Sequence, residues 1–180
     1  MSIKSLFNII KEDFKARHEN YNSYKFIKFY VMDINFRVVV RYRIQSYLSK
    51  KNKLLRLVSI LIRNGNIKKY GVEIGINTDI QSGLNIHHIN GIVIGDGVEI
   101  GKNLNIFQQV TIGRKKCSYP KIGNNVTLYP GTIILGEINI HDNAIVGANS
   151  VVIKDVYKNQ VVAGSPAQIK TKRVVINEKE

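Results

Sequence analysis

The chain has no tryptophan, one cysteine, two methionines and three prolines in 180 residues. A lone cysteine, Cys117, excludes an internal disulfide, so the fold must hold without staples, as suits a reducing compartment. Acidic residues are also scarce: 13 Asp and Glu stand against 27 Lys and Arg, a formal net charge of +14. Uncharged apolar runs in the N-terminal part, such as Leu57 to Ile62, are far too short to span a bilayer. The opening residues scatter charge among apolar side chains and lack the apolar core of a signal peptide. The expectation is a single-domain cytoplasmic protein with an appendage.

What the chain does have is a beat. Ile74, Ile80, Ile86 and Ile92 are six apart, then Ile94, Ile100, Ile106 and Ile112. Ile122, Leu128, Ile134, Ile140, Val146 and Val152 keep the same spacing. Six residues are about 1.67 helical turns, so no helix can use this period. A solenoid of short strands can, because each coil buries its aliphatics against the coils above and below. With three hexads to a triangular coil of about 18 residues, the zone fills about four coils. The beat slips twice, at Ile86 to Ile94 and at Ile112 to Ile122. Extra residues in a solenoid bulge out as loops, where binding and chemistry collect. The second loop, Arg114 to Lys121, is strongly basic.

The first 70 residues read as helical. Ile3, Leu6, Phe7, Ile10 and Phe14 form one stripe over residues 3–17. A break at Asn20 to Ser23 precedes a helical zone from Phe26 to Leu48, and another helix runs from Lys53 to Arg63, stopped by Asn64-Gly65-Asn66. Residues 1–71 hold 16 Lys and Arg against 4 Asp and Glu, while residues 72–180 hold 11 against 9. A basic surface of this kind is either plain solubility or attraction to an anionic partner, such as a membrane surface or an acidic glycan. No helix-turn-helix, zinc finger or RNA-binding motif accompanies the charge, so nucleic acid is not expected. The division is thus 1–70 helical, 71–160 solenoid and 161–180 tail.

Two of the four histidines, His87 and His88, sit side by side at the first slip. Neighbours on a strand point to opposite faces, so at most one of them serves a given cleft. Two solvent-facing or hydrogen-bonded histidines are the plain alternative. A metal site would need a third ligand, and His141 has no supporting spacing, so no metal is expected.

The runs Gly71-Val72-Glu73-Ile74, Ile86-His87-His88-Ile89-Asn90-Gly91, Gln109-Val110-Thr111-Ile112-Gly113 and Pro120-Lys121-Ile122-Gly123 resemble the serine acetyltransferase branch of the hexapeptide-repeat acyltransferases. Val161 to Ala167 resembles that superfamily's closing motif, and Glu12-Asp13 with Arg41-Tyr42-Arg43-Ile44 is similar to the branch's helical N-domain. The resemblance implies a mostly β protein: a left-handed parallel β-helix with a short helical N-terminal domain. The usual crossover rule for parallel strands would predict the opposite hand. It also implies a homotrimer with sites between subunits, and acetyl-CoA as cosubstrate.

By the same resemblance His88 is the general base and Glu73 the carboxylate that orients it, where the family often has Asp. Coenzyme A would meet Gly113, Pro130, Gly131, Ala148, Lys154, Gly164, Pro166 and Lys170, with Arg173 in the basic tail. The branch usually has Asp before the catalytic His, where this chain has His87, and a second His with Arg where this chain has Ser118-Tyr119. The His-His pair resembles the colanic acid acetyltransferase subgroup. The reading is therefore an O-acetyltransferase acting on a sugar hydroxyl of a surface polysaccharide, with His87 and Tyr119 binding the acceptor and weak or no activity on L-serine. Serine O-acetylation for cysteine biosynthesis is the alternative, and a β-helical scaffold without catalysis is the reading from another class.

Overall fold

The computed structural model describes residues 2–18, 21–116 and 118–172; Asn20, Cys117 and Arg173 lie outside them. Four helices come first: α1 (Ile3–His18), α2 (Ser23–Met32), α3 (Ile34–Ser49) and α4 (Lys53–Tyr70). The zone expected as one helix from Phe26 is two, because Asp33 leaves the helical conformation and caps α3 by accepting from the Asn35 and Phe36 N–H groups. Nor does Asn64-Gly65-Asn66 end α4. Arg41 of α3 lies against Gly65 and donates to Asn66 Oδ1, so these residues pack between helices instead of turning away. The helix ends at Gly71, whose φ of 62° is the left-handed cap that glycine adopts without strain.

The solenoid follows in coils. The first holds β1 (Val72–Ile74), β2 (Asp79–Ile80) and β3 (Asn85–Ile86), and the second β4 (Ile92–Ile94), β5 (Glu99–Ile100) and β6 (Asn105–Ile106). The third holds β7 (Thr111–Gly113), β8 (Lys121–Ile122) and β9 (Thr127–Leu128), and the fourth β10 (Ile133–Leu135), β11 (Asn139–Ile140) and β12 (Ile145–Val146). Then come β13 (Val151–Val152), β14 (Gln160–Ala163) and β15 (Gln168–Lys172). Like strands stack in parallel into three faces: β1-β4-β7-β10-β13, β2-β5-β8-β11 and β3-β6-β9-β12-β14. The result is a parallel β-helix of about four turns. β15 folds back antiparallel on β14 and covers the open edge of the third face.

Ile74, Ile94, Ile112, Ile134 and Val152 stack in register inside the prism, as do Ile80, Ile100, Ile122 and Ile140. All are buried. Ile92 is buried too, but it stacks on Val72, because the first slip falls at the corner between the third and first faces. Between the second and third faces the turn is held by a ladder of asparagine amides, Asn103 to Asn125 to Asn143 to Asn159, at 2.9 to 3.0 Å. All four have positive φ, a conformation that Asn tolerates better than most residues.

The first coil has no coil beneath it, and side chains of the helices take its place. Tyr42 donates to the Thr78 carbonyl, with burial pushing its hydroxyl up to about 12, and Gln45 donates to the Ile74 carbonyl. Arg43 donates to the Ile80 and Gln81 carbonyls while pairing with Asp13 at 2.7 and 3.0 Å. Asp13 in turn accepts from the Gly83 and Leu84 N–H groups at 2.8 and 2.9 Å. No helix of the described residues is long and apolar enough to cross a membrane.

Two stability outcomes follow from this packing. Ile134→Ala is expected to cost about 2–5 kcal/mol in denaturant unfolding, the range for a large aliphatic deleted from a closed core. Asp13→Ala leaves Arg43 buried and two N–H groups without an acceptor, and should cost about 3–5 kcal/mol. A loss well under 1 kcal/mol in either would contradict the assigned roles.

Candidate active site

His87 and His88 lie in the first turn between the third and first faces, between β3 and β4. Two extra residues widen this corner: Ile74 and Ile94 are twenty apart, whereas Ile94 and Ile112 are eighteen apart. Asn90 and Gly91 both take positive φ there, and the Gly91 N–H donates to the Gly71 carbonyl at 2.8 Å. The helices grip the histidine pair from both sides. Before it, Arg17 Nη1 donates to the Ile86 carbonyl at 2.9 Å; after it, the Ile89 N–H donates to Asn35 Oδ1 at 3.1 Å. Arg17 is itself held by Asp33, the cap of α3.

Between these anchors His88 is exposed and His87 half-buried. The His87 ring stacks on Phe107 at 4.3 Å and 3°, and Phe107 stacks on Tyr129 at 5.2 Å, so the rings continue up the third-to-first corner. His88 approaches Phe107 only obliquely, at 6.2 Å and 51°. The two histidines are thus held differently: His87 is fixed by stacking and hydrogen bonds, and His88 is open to solvent.

Glu73 is placed on the outside of β1. Its Oε1 accepts from Arg63 Nη2 at 3.0 Å, and among the described residues no hydrogen bond joins it to His88. Tyr119 lies elsewhere. Its ring lies over Gly95 and Gly97, where a side chain would overlap it, at the corner between the first and second faces. Within one chain it is not brought together with His87. Lys115, Lys116 and Ser118 of the basic loop line a cavity of about 500 Å³ on that side, with Leu135 and Ile153.

The residues expected to meet coenzyme A fall in two groups. Pro130, Gly131 and Ala148 lie on the His88 corner, where the Gly131 N–H donates to Gln108 O and the Asn149 N–H to Pro130 O. Gly164 accepts from the Val151 N–H at 3.0 Å just above them. Lys154 and Pro166 line a mostly apolar cavity of about 510 Å³ at the C-terminal end. Gly113 ends β7 on the first face beneath Leu135, and Lys170 is exposed on β15. No cluster of three or more His, Cys, Asp or Glu able to hold a metal ion occurs among the described residues.

The signature "Bacterial transferase hexapeptide (six repeats)" matches residues 119–154. The serine acetyltransferase of Buchnera aphidicola (subsp. Acyrthosiphon pisum) is 32% identical over 174 residues, 92% of this chain and 62% of that protein. The chain is similar to the hexapeptide-repeat acyltransferases over most of its length. Among solved structures, Neisseria gonorrhoeae serine acetyltransferase in complex with serine superposes with a TM-score of 0.84 at 28% identity, covering 94% of this chain and 71% of that one. A serine acetyltransferase in complex with CoA gives 0.80 at 28%, covering 93% and 70%. The fold is thus the hexapeptide-repeat left-handed β-helix. The chain spans 30 to 62% of the length of the first curated relatives it matches.

These likenesses overturn the expectation of a sugar acceptor. The relatives and the structures superposed are serine acetyltransferases, which favours the alternative reading, and a colanic acid subgroup resemblance is not shown. The Tyr119 ring, half-buried over Gly95 and Gly97, also lies away from His87 within one chain, so the two are not brought together as a single acceptor site there.

His18, beside Arg17, is stacked on Phe29 at 3.8 Å, and burial holds it below its usual 6.5 although Asp33 lies 3.4 Å away. The unfolded chain therefore takes up the proton first. The grip on the histidine corner should be fully stable above pH 6.5 and weaken as pH falls below it. Asp33 contributes in a separate, lower window: burial raises its pKa, but Arg17 and the cap N–H groups leave it net lowered from 3.8. Denaturant midpoints measured against pH should show the upper decline flattened in His18→Gln. An unchanged slope would remove His18 as its source.

Proposed function

We propose that this protein is an acetyl-CoA-dependent serine O-acetyltransferase. The observation that carries the reading is the likeness to serine acetyltransferases along 92–94% of the chain, helices and solenoid together, with the exposed His88 set in the gripped corner. In this reading His88 takes the proton from the serine hydroxyl as its oxygen attacks the thioester carbonyl. The tetrahedral intermediate then collapses with cleavage of the C–S bond, and the proton passes from the imidazolium to the leaving thiolate. Glu73 is proposed to orient the imidazole. Arg63 claims Oε1, and Oε2 is left for that task. Coenzyme A would lie along the His88 corner towards the cavity of Lys154 and Pro166, where small residues allow close approach to the backbone. The assembly proposed is a homotrimer with sites between subunits, working in the cytoplasm.

The test is thiol release from acetyl-CoA with L-serine, with O-acetylserine identified by mass. No product at millimolar serine would sink the reading. His88→Ala should lower kcat by roughly 10²–10⁴-fold while acetyl-CoA affinity is nearly unchanged. Near-full turnover in that variant would remove His88 as the base.

A peripheral membrane contact is also proposed for the basic helices. Tyr24, Ile27, Val31 and Met32 of α2 are exposed beside Lys25 and Lys28. Cosedimentation with anionic vesicles should exceed that with neutral ones and fall with salt, since the screening length shrinks to about 8 Å at physiological ionic strength. Equal binding to both vesicles, or none to either at low salt, would exclude it.

A further inference from the structure

We infer that Arg17, a residue of the helical domain, is a positioning residue for acceptor recognition: it fixes the tautomer of His87 and thereby leaves Nδ1 as the acceptor for the substrate ammonium. The inference rests on the serine O-acetylation reading and assigns the specificity of that site.

The chain of hydrogen bonds starts from a group with only one polarity. A guanidinium donates and never accepts. Arg17 Nη1 lies 3.0 Å from Asn85 Oδ1, so the carbonyl end of the Asn85 amide must face Arg17 and its NH₂ end must face away. That NH₂ group lies 3.2 Å from Asn105 Oδ1 and donates to it. Turning the Asn105 amide over would set NH₂ against NH₂. The same Asn105 Oδ1 lies 2.9 Å from His87 Nε2, and an amide oxygen only accepts. The hydrogen of the neutral imidazole is therefore on Nε2. Asn85 Nδ2 also lies 3.2 Å from His87 Nε2; these are two donors converging on one oxygen, not a bond between them. The permanent charge on Arg17 thus sets the polarity of two amides and one imidazole in turn.

With Nε2 protonated, Nδ1 carries the lone pair. No group of the described residues hydrogen-bonds it. Stacking on Phe107 holds the ring plane, and Asn105 holds its rotation. Asn85 is buried, so water has little chance to reverse the relay. A fixed lone pair beside His88 suits a cationic donor. An alkylammonium, three donors and no acceptor, is the complementary group on an amino-acid acceptor. Had the other tautomer been held, His87 would present an N–H and repel it. This makes His87 a neutral stand-in for the carboxylate that the resemblance leads one to expect at its position. The sequence offers a signal in hindsight: Asn-Ile recurs at Asn85-Ile86 and Asn105-Ile106, stacked in register.

The experiment has two parts. The first is the side-chain ¹H–¹⁵N spectrum of the free full-length protein under mildly alkaline conditions, with the four histidines assigned by single His→Gln variants. His87 is expected as the Nε2–H tautomer, and as a mixture in Arg17→Met. The second compares L-serine with 3-hydroxypropanoate, which lacks only the ammonium. Arg17→Met is expected to raise KM for L-serine about tenfold relative to KM for 3-hydroxypropanoate. Arg17→Lys, which keeps a donor, should restore part of the preference. General damage to the corner would instead depress both acceptors alike and overturn the inference. So would an Nδ1–H tautomer in the wild type, a measurement that stands even if Arg17→Met does not fold. Absence of serine acetylation by the wild type is a separate result, which defeats the functional reading and leaves the tautomer measurement to be judged alone.

Discussion

The structure depends on how the lower edge of the first coil is closed. A parallel solenoid pairs each coil with its neighbours, so its first coil presents a row of backbone groups with no partner. Buried, each such group costs roughly 1–3 kcal/mol. Here the row is closed by side chains, with Asp13 and Arg43 at its centre. Neither residue would be tolerable there alone, since a buried charge without its partner is among the more destabilising defects. Together they serve two carbonyls and two N–H groups while neutralising each other. The helical domain is thus the floor of the prism, while keeping a hydrophobic cluster of its own around Phe14 and Phe36.

The wide corner follows from that floor. Higher corners are held by the coil beneath; the one at His87 and His88 is held by Gly71, Arg17 and Asn35. This corner carries two extra residues without breaking the stacking of Ile86 on Ile106 or Ile94 on Ile112. The exposed imidazole of His88 stands where the repeat is interrupted and the backbone is nevertheless fixed on both sides. A rigid scaffold with one irregular loop is the usual way to position a reactive side chain.

The solenoid was legible because period six admits no other regular structure, and the buried residues were the repeat residues themselves. Helix limits were less legible because they were decided at a distance. Asp33 reads as an ordinary polar residue until it caps α3 and holds Arg17, and Gly65 reads as a breaker until Arg41 lies against it. In the site, the prominence of His88 came from resemblance, and the structure adds its exposure. Arg17 and Asn35 could not be found from spacing, since Arg17 is 68 residues from the Asn85 it meets. Tyr119 has a packing part that its place in a basic loop does not announce, since its ring fills space that Gly95 and Gly97 leave empty.

The acceptor question shows how local and global signals should be weighed. His87 before the expected catalytic position, with Ser118-Tyr119 in place of a second His and Arg, suggested a different substrate, because lost polar partners were read as a lost amino acid. Charge is not the only way to hold a cation. A neutral imidazole with its lone pair directed can accept from an ammonium as well, provided something else decides which nitrogen carries the hydrogen. In this chain the deciding group lies on α1, outside the repeat, and reaches the site through two amides that belong to successive coils. A change at the site is therefore compatible with an unchanged substrate class when the surrounding network supplies the missing polarity, and residue-by-residue comparison of the site alone cannot register that.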